Sequence, residues 1–132
     1  MIEINTLHIG SHVLYNGKHE RVRGLDEDNG LIIRFPAEYV LASEVEPIAI
    51  TPELLAEFMP ENGLSKNFGD FYVFVWKDND YQIEIKIIGE RARVKINRDG
   101  YDGVFALATD IHYIHKLEAF LYLTTKTELI KE

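Results

Sequence analysis

The stretch "FYVFVWKDNDYQIEIKIIGERARVKIN", residues 71–97, decides the fold of this chain. Apolar and polar residues alternate along its segments, and alternation with a period of two predicts strands that bury one face. If Gly89 and Glu90 form a two-residue turn, Ile85 faces Val94 and Lys86 faces Arg93. The alternation and the turn therefore predict the same antiparallel hairpin.

The turn at Asp78-Asn79-Asp80 leaves two registers open. A two-residue turn, the commoner connection, sends Phe74 and Trp76 into the core with the isoleucines of the next strand. A three-residue turn sets the 72–76 aromatics on the face that carries Lys and Arg, an arrangement typical of single-stranded nucleic-acid binding. We favour the first register, because burial of large aromatic side chains stabilises a fold. The second register offers five candidate nucleic-acid contacts: Lys86, Arg91, Arg93, Lys95 and Trp76.

Residues 1–50 predict a separate small β lobe. The segment "HVLYNGKHERVRGLDEDNGLIIRF", residues 12–35, contains two hairpin-turn dipeptides, Asn16-Gly17 and Asn29-Gly30. Several short strands joined by tight turns resemble a small SH3-like barrel. We therefore expect an SH3-like lobe over residues 1–50.

The remainder, residues 51–132, predicts a helix, an antiparallel sheet and a C-terminal helix, in a lobe that either stands alone or shares one core with the first. Thr51 and Pro52 are typical of a helix start, in "TPELLAEFM". Residues 60–70 are predicted to be a loop. The predicted fold class is therefore α+β.

The C-terminal helix is predicted to be capped by Thr109 or Asp110 and to end near Thr124. Its predicted buried face consists of Ile111, Ile114, Leu117 and Leu121.

On such a helix His112 and His115 stand three residues apart, with Glu118 three further on. A metal site is one interpretation, but the duplicated motif of di-metal bundles and the zincin spacing are both lacking. We favour a solvated His112 and a His115 that is hydrogen-bonded at a lobe junction. We interpret His8, His12 and His19 as surface imidazoles.

The composition excludes several classes of function. The net charge is −8, from 22 acidic and 14 basic residues, which argues against a duplex-DNA binder. The absence of cysteine removes disulfides, thiolate nucleophiles and Cys-based zinc sites. The chain start does not resemble a signal peptide and no apolar run is long enough for a membrane helix, so a cytoplasmic protein without membrane association is expected. We see no catalytic constellation and expect no cofactor.

Three segments carry a resemblance to a known group of proteins: "LHIGSHVLYNGK" at 7–18, "VEPIAITPELL" at 45–55 and "YIHKLEAFLYLTTKTEL" at 113–129. They resemble a family of small uncharacterised proteins encoded in Bacteroidales genomes and their phages or mobile elements. Of the two helix histidines, only His115 falls on the matched C-terminal motif. The resemblance implies relatives but no activity, substrate or cofactor.

The leading functional prediction is therefore a non-enzymatic protein-interaction or accessory module of a phage or mobile element, with a protein partner. The first alternative is a single-stranded nucleic-acid-associated protein that uses the basic and aromatic sheet face. The second is a metal-binding site at His112 and His115.

Overall fold

The computed structural model describes residues 2, 6–26, 30–33, 38–100, 102–126 and 129. They form an α+β structure of antiparallel sheets and two α-helices. The chain divides into two compact units. The first contains residues 1–49 and 113–119, and the second contains residues 50–112 and 120–132. The C-terminal helix therefore contributes to both units.

Short strands build the sheets of the first unit. They are β1 (His12–Tyr15), β2 (Lys18–Arg21), β3 (Gly24–Leu25), β4 (Gly30–Ile32) and β5 (Tyr39–Leu41), followed by a 3₁₀ helix (Ala42–Glu44). β1 pairs with β2, while β3, β4 and β5 form a second sheet. Both sheets are antiparallel.

The turn between β1 and β2 is the predicted Asn-Gly hairpin. Asn16 and Gly17 have φ of 50° and 76°, the left-handed conformation that favours these two residue types. The second predicted turn, at Asn29-Gly30, includes residues outside the described ranges.

The first unit has its own apolar core. Its buried members are Ile2, Leu7, Val13, Val22, Leu31, Ile33, Val40 and Val45, with Tyr15 packed against them. In the described part of the unit neither sheet closes on itself, although an isolated bridge joins Leu14 to Glu46. The structure therefore gives two antiparallel sheets over one core.

Helix α1 (Pro52–Phe58) opens the second unit and confirms the predicted helix start. The Thr51 side chain accepts a hydrogen bond from the Leu54 N–H at 3.1 Å, and Pro52 occupies the first turn. Because the first N–H groups of a helix have no partner within it, this cap stabilises the helix by about 1 kcal/mol.

A five-stranded antiparallel sheet forms the rest of the second unit, in the order β10-β9-β8-β7-β6. Its strands are β6 (Leu64–Asn67), β7 (Tyr72–Asp78), β8 (Tyr81–Ile88), β9 (Arg91–Arg98) and β10 (Ala106–Ile111). Strand β6 lies where the sequence predicted only a loop. The segment "LSKN" lacks the apolar alternation that predicts a strand, and its pairing with β7 holds it extended.

The register of β7, β8 and β9 confirms the predicted hairpin and the favoured turn. Ile85 pairs with Val94, and Lys86 pairs with Arg93. Asp78 pairs with Tyr81, so the turn between β7 and β8 has two residues and Trp76 pairs with Ile83. One face of these strands is buried, with members each at most 4% exposed: Phe74, Trp76, Ile83, Ile85, Ile87, Ala92, Val94 and Ile96.

Helix α2 (Ile114–Thr125) begins later than predicted. The predicted cap at Thr109 or Asp110 is wrong, because both residues belong to β10. Ile111 still has the predicted burial, but it reaches it by pairing with Ala92 in the sheet. Ile50 N–H donates to the His112 carbonyl at 3.1 Å, which holds that residue outside the helix. Tertiary pairing here overrides the helical pattern.

Candidate functional site

The face of the five-stranded sheet opposite the buried row carries most of the basic side chains of the second unit. We call it the outer face. Where the strands pair without interruption, it holds six basic residues and one acidic residue. The basic residues are Lys66, Lys77, Lys86, Arg91, Arg93 and Lys95, and the acidic residue is Glu84. This concentration stands out because the chain as a whole carries a net charge of −8.

Only part of that positive charge is neutralised locally. Lys77 Nζ lies 3.0 Å from Asp99 Oδ2, and Lys95 Nζ lies 3.8 Å from Glu84 Oε2. Among the described residues, Arg91 and Arg93 have no carboxylate within 4.0 Å. Both arginines are exposed. The outer face therefore presents guanidinium groups that are available to an anionic partner.

A small niche lies within the outer face. Glu84, Lys86, Arg93 and Lys95 line a cavity of about 140 Å³. Three cations around one carboxylate leave the niche with a positive excess. Arginine and lysine in this arrangement bind carboxylate or phosphate oxygens through charge-assisted hydrogen bonds.

Two phenylalanines add an aromatic element at one side of the outer face. The rings of Phe68 and Phe71 stack with centroids 4.8 Å apart. Lys86 Nζ lies 4.1 Å from the Phe71 centroid, and Lys66 Nζ lies 5.0 Å from the Phe68 centroid. These cation–π contacts hold the lysines over the rings, so the ring faces are already occupied by protein groups.

Exposed apolar residues complete the surface. Leu64 is 74% exposed, Phe68 is 50% exposed and Leu107 is 46% exposed. Val73 and Val75 are half-buried between them. Apolar side chains interspersed with arginine are typical of protein–protein interfaces.

The structure separates the predicted nucleic-acid contacts into two groups. Lys86, Arg91, Arg93 and Lys95 share the outer face. Trp76 lies on the opposite, buried face and is 4% exposed, so it cannot stack on a base. The cause is the two-residue turn, because a shift of one residue moves a side chain to the other face. The sequence analysis missed Phe68 and Phe71, which are the aromatics that do lie beside the basic residues.

A buried acid–base pair lies in the first unit, where the sequence analysis predicted surface imidazoles. Glu118 Oε1 accepts a hydrogen bond from the His12 backbone N–H at 2.8 Å, and Glu118 Oε2 lies 2.6 Å from His12 Nδ1. His12 is 7% exposed and Glu118 is 2% exposed. The prediction for His12 is therefore wrong. No sequence signal links two residues 106 positions apart, which explains the omission.

His115 is also buried in the first unit, 3% exposed, and among the described residues its Nδ1 has no hydrogen-bond partner. The prediction of a hydrogen-bonded His115 is therefore wrong for Nδ1. Burial, and to a smaller extent the neighbouring Lys116 ammonium, lowers the pKa of His115 from 6.5 to about 4. The imidazole is therefore neutral at neutral pH. It borders a cavity of about 470 Å³ lined by Ile2, Thr6, Glu46, Pro47, Tyr113, His115 and Lys116.

The predicted row of helix histidines does not form. His112 precedes the helix, is exposed and lies with its Nε2 3.0 Å from Asp110 Oδ1. Glu118, the third member of that row, is engaged with His12. Within the described ranges, no group of three or more His, Asp or Glu side chains is arranged to hold a metal ion.

Comparison with protein-family models, curated proteins and solved structures finds no match to this chain. In the part of the chain that the structure describes, neither helix is long and apolar enough to cross a membrane.

Proposed function

We propose that this protein is a non-enzymatic interaction module that binds an acidic segment of a partner protein on the outer face. The observation that carries the proposal is the imbalance of six basic residues to one acidic residue on that face. Because the chain is acidic overall, such a cluster on one face favours an anionic partner through charge complementarity.

A protein partner is favoured over single-stranded nucleic acid by the aromatic groups. Nucleic-acid binding of that kind uses exposed ring faces on which bases stack. Trp76 is buried, while Phe68 and Phe71 stack on each other beneath lysine side chains. The exposed leucines of the face instead suit apolar side chains of a protein.

The resemblance to small proteins of Bacteroidales genomes, phages and mobile elements adds a biological setting to the proposal. An accessory role in such an element would bring the module to a partner encoded by the element or its host. The SH3-like character of the first unit and a cytoplasmic location also remain predictions.

The test compares three forms of the full chain as bait in nuclease-treated host lysate. The face variant combines Lys86→Glu with Arg93→Glu. The control variant combines Lys18→Glu with Arg23→Glu, which are exposed positions of the first unit with the same total charge change. We expect a defined set of proteins to be captured by the wild type and the control but lost by the face variant.

Identical capture by all three forms would contradict the proposal, because the outer face would then be irrelevant to binding. A parallel sample without nuclease tests the alternative. Nucleic acid retained by the wild type and the control, and released by the face variant, would establish the same basic residues as a nucleic-acid site instead.

A further inference from the structure

We infer that the partner segment binds as an added β-strand along the open edge of β6, with its alternate side chains divided between the outer face and a groove beside α1. This inference rests on the proposed function and adds a second attachment for the same partner. Because β7 lies between β6 and β8, the added strand itself meets Lys66 of the outer face, and the rest of the partner reaches Lys86 and Arg93. The inference depends on three independent features of the second unit: an unpaired strand edge, a groove next to it and the charge of the outer face.

The edge at β6 has backbone groups that the sheet does not use. Phe68 N–H donates to the Phe71 carbonyl at 2.9 Å, which fixes the hydrogen-bonded positions at this end of the ladder. Since such positions alternate in an antiparallel pair, Lys66 bonds to Val73, while Ser65 and Asn67 direct their backbone groups away from β7. Among the described residues, no strand pairs with that side of β6. An edge of this kind is a template for strand addition.

The other edge of the sheet is different. Strand β10 carries a register irregularity between Ala108 and Ile111, where its pairing with β9 is interrupted. A bulge disrupts the regular spacing of edge groups and discourages a further strand. The sheet therefore offers one regular edge, and that edge is β6.

A groove of about 220 Å³ accompanies the open edge. It is lined by Pro52, Glu53 and Ala56 of α1 and by Ser65, Lys66, Asn67, Tyr72 and Phe74 of the sheet. Ser65 and Asn67 stand opposite Phe74 and Tyr72 in the ladder, so they share the side of the sheet on which Phe74 is buried. Partner side chains opposite Ser65 and Asn67 would enter this groove, and its size and aromatic members suit aliphatic side chains.

The other side of an added strand would meet the outer face. Partner residues opposite Lys66 would project beside the Lys66 ammonium and the Phe68–Phe71 stack. Directly paired side chains of adjacent strands lie close enough for opposite charges to attract. The segment that fits is therefore extended, with acidic and aliphatic residues in strict alternation.

The probe is the peptide acetyl-Glu-Val-Glu-Val-Glu-Val-amide, and its control has the same composition in the order Glu-Glu-Glu-Val-Val-Val. Amide exchange of the full ¹⁵N-labelled chain is measured by NMR with each peptide. In the protein alone we expect fast exchange at Ser65 and Asn67 and slower exchange at Lys66. The alternating peptide should slow Ser65 and Asn67 severalfold, and the block peptide should not.

Two variants separate strand addition from attraction by charge. Ser65→Pro removes the outward N–H at an edge position that tolerates proline, whereas Ser65→Ala keeps it. We expect Ser65→Pro to abolish protection by the alternating peptide and Ser65→Ala to retain it. Unchanged Trp76 emission in both variants verifies that β7 remains folded.

Two other outcomes would overturn the inference, and neither of them would by itself decide the proposed function. If both peptides bind equally without protecting Ser65 or Asn67, the outer face attracts acidic chains but adds no strand. If neither peptide binds, strand addition is wrong for this chemistry. In either case, the capture experiment with the Lys86→Glu/Arg93→Glu variant still decides whether the outer face binds a partner.

Discussion

At the scale of single residues, His115 makes the stability of the fold depend on pH. Its pKa is lowered to about 4 in the folded chain, against 6.5 for an ordinary histidine, so the unfolded chain binds more protons between these values. Stability is therefore full above pH 6.5, falls as the pH drops towards 4 and levels off below that. The full loss is about 3 kcal/mol.

Urea unfolding at a series of pH values from about 4 to 7.5 checks this, with His115→Leu as the test variant. The variant should lose most of the slope in this range, because leucine fills the buried site without a proton to bind. His112→Gln is the control, since His112 is exposed and should leave the slope unchanged. An unaltered slope in His115→Leu would assign the pH dependence to other groups.

The pair of His12 and Glu118 is the second sensitive point at this scale. Glu118→Ala leaves the His12 backbone N–H and Nδ1 buried without their acceptor. Each buried polar group left without its acceptor costs about 1–3 kcal/mol, whereas Glu118→Gln keeps one acceptor oxygen and should cost less. Thermal unfolding measures both, with Glu61→Gln at an exposed loop position as the control. Equal and small effects for both Glu118 variants would show that the pair adds nothing.

At the scale of elements, the turn between β7 and β8 determines which aromatics are available to a ligand. Its two-residue form buries Trp76, the single tryptophan of the chain. We expect native Trp emission to be shifted to the blue and to resist quenching by acrylamide, because water and quencher do not reach the ring. Emission at the wavelength of free tryptophan with easy quenching would require the three-residue turn instead.

The sequence predicts those elements in which local pattern and tertiary structure agree. The hairpin of β8 and β9 is confirmed because alternation and turn chemistry specify the same register. The predicted start of α2 is wrong, because residues 109–111 belong to β10. Ile111 is buried in the sheet, as it would have been in a helix. Strand β6 is missed because it is a polar edge strand with no buried face of its own.

The candidate site likewise contains residues that local pattern predicts and residues that it does not. The basic residues of the outer face are predictable from strand parity, since β8 and β9 alternate clearly. Phe68 and Phe71 are not predictable, because their position depends on the unrecognised pairing of β6 with β7. The contact of Glu118 with His12 joins residues that are far apart in the chain, and local pattern carries no information about it.

At the scale of the whole molecule, the basic outer face contrasts with the net charge of −8. If the cations of this face provide the binding energy, capture of the partner must weaken as salt is added. The Debye length, over which charges interact in solution, falls from about 10 Å at 0.1 M salt to about 3 Å at 1 M. We expect a marked loss of captured partner between these concentrations for the wild type and for the Lys18→Glu/Arg23→Glu control. The apolar contacts between the partner and the outer face should persist at high salt, so some binding should remain.

The Lys86→Glu/Arg93→Glu variant gives the decisive comparison. Each exposed charge pair contributes about 0.2–1 kcal/mol, so loss of two cations should weaken binding by about twofold to thirtyfold at low salt and change it much less at high salt. Reversal of the charges also adds repulsion, which strengthens the contrast at low salt. Titration of each form with the purified partner at both salt concentrations measures the change in affinity. A salt dependence that is the same in all three forms would place the charge dependence elsewhere on the molecule and leave the outer face with an apolar role only.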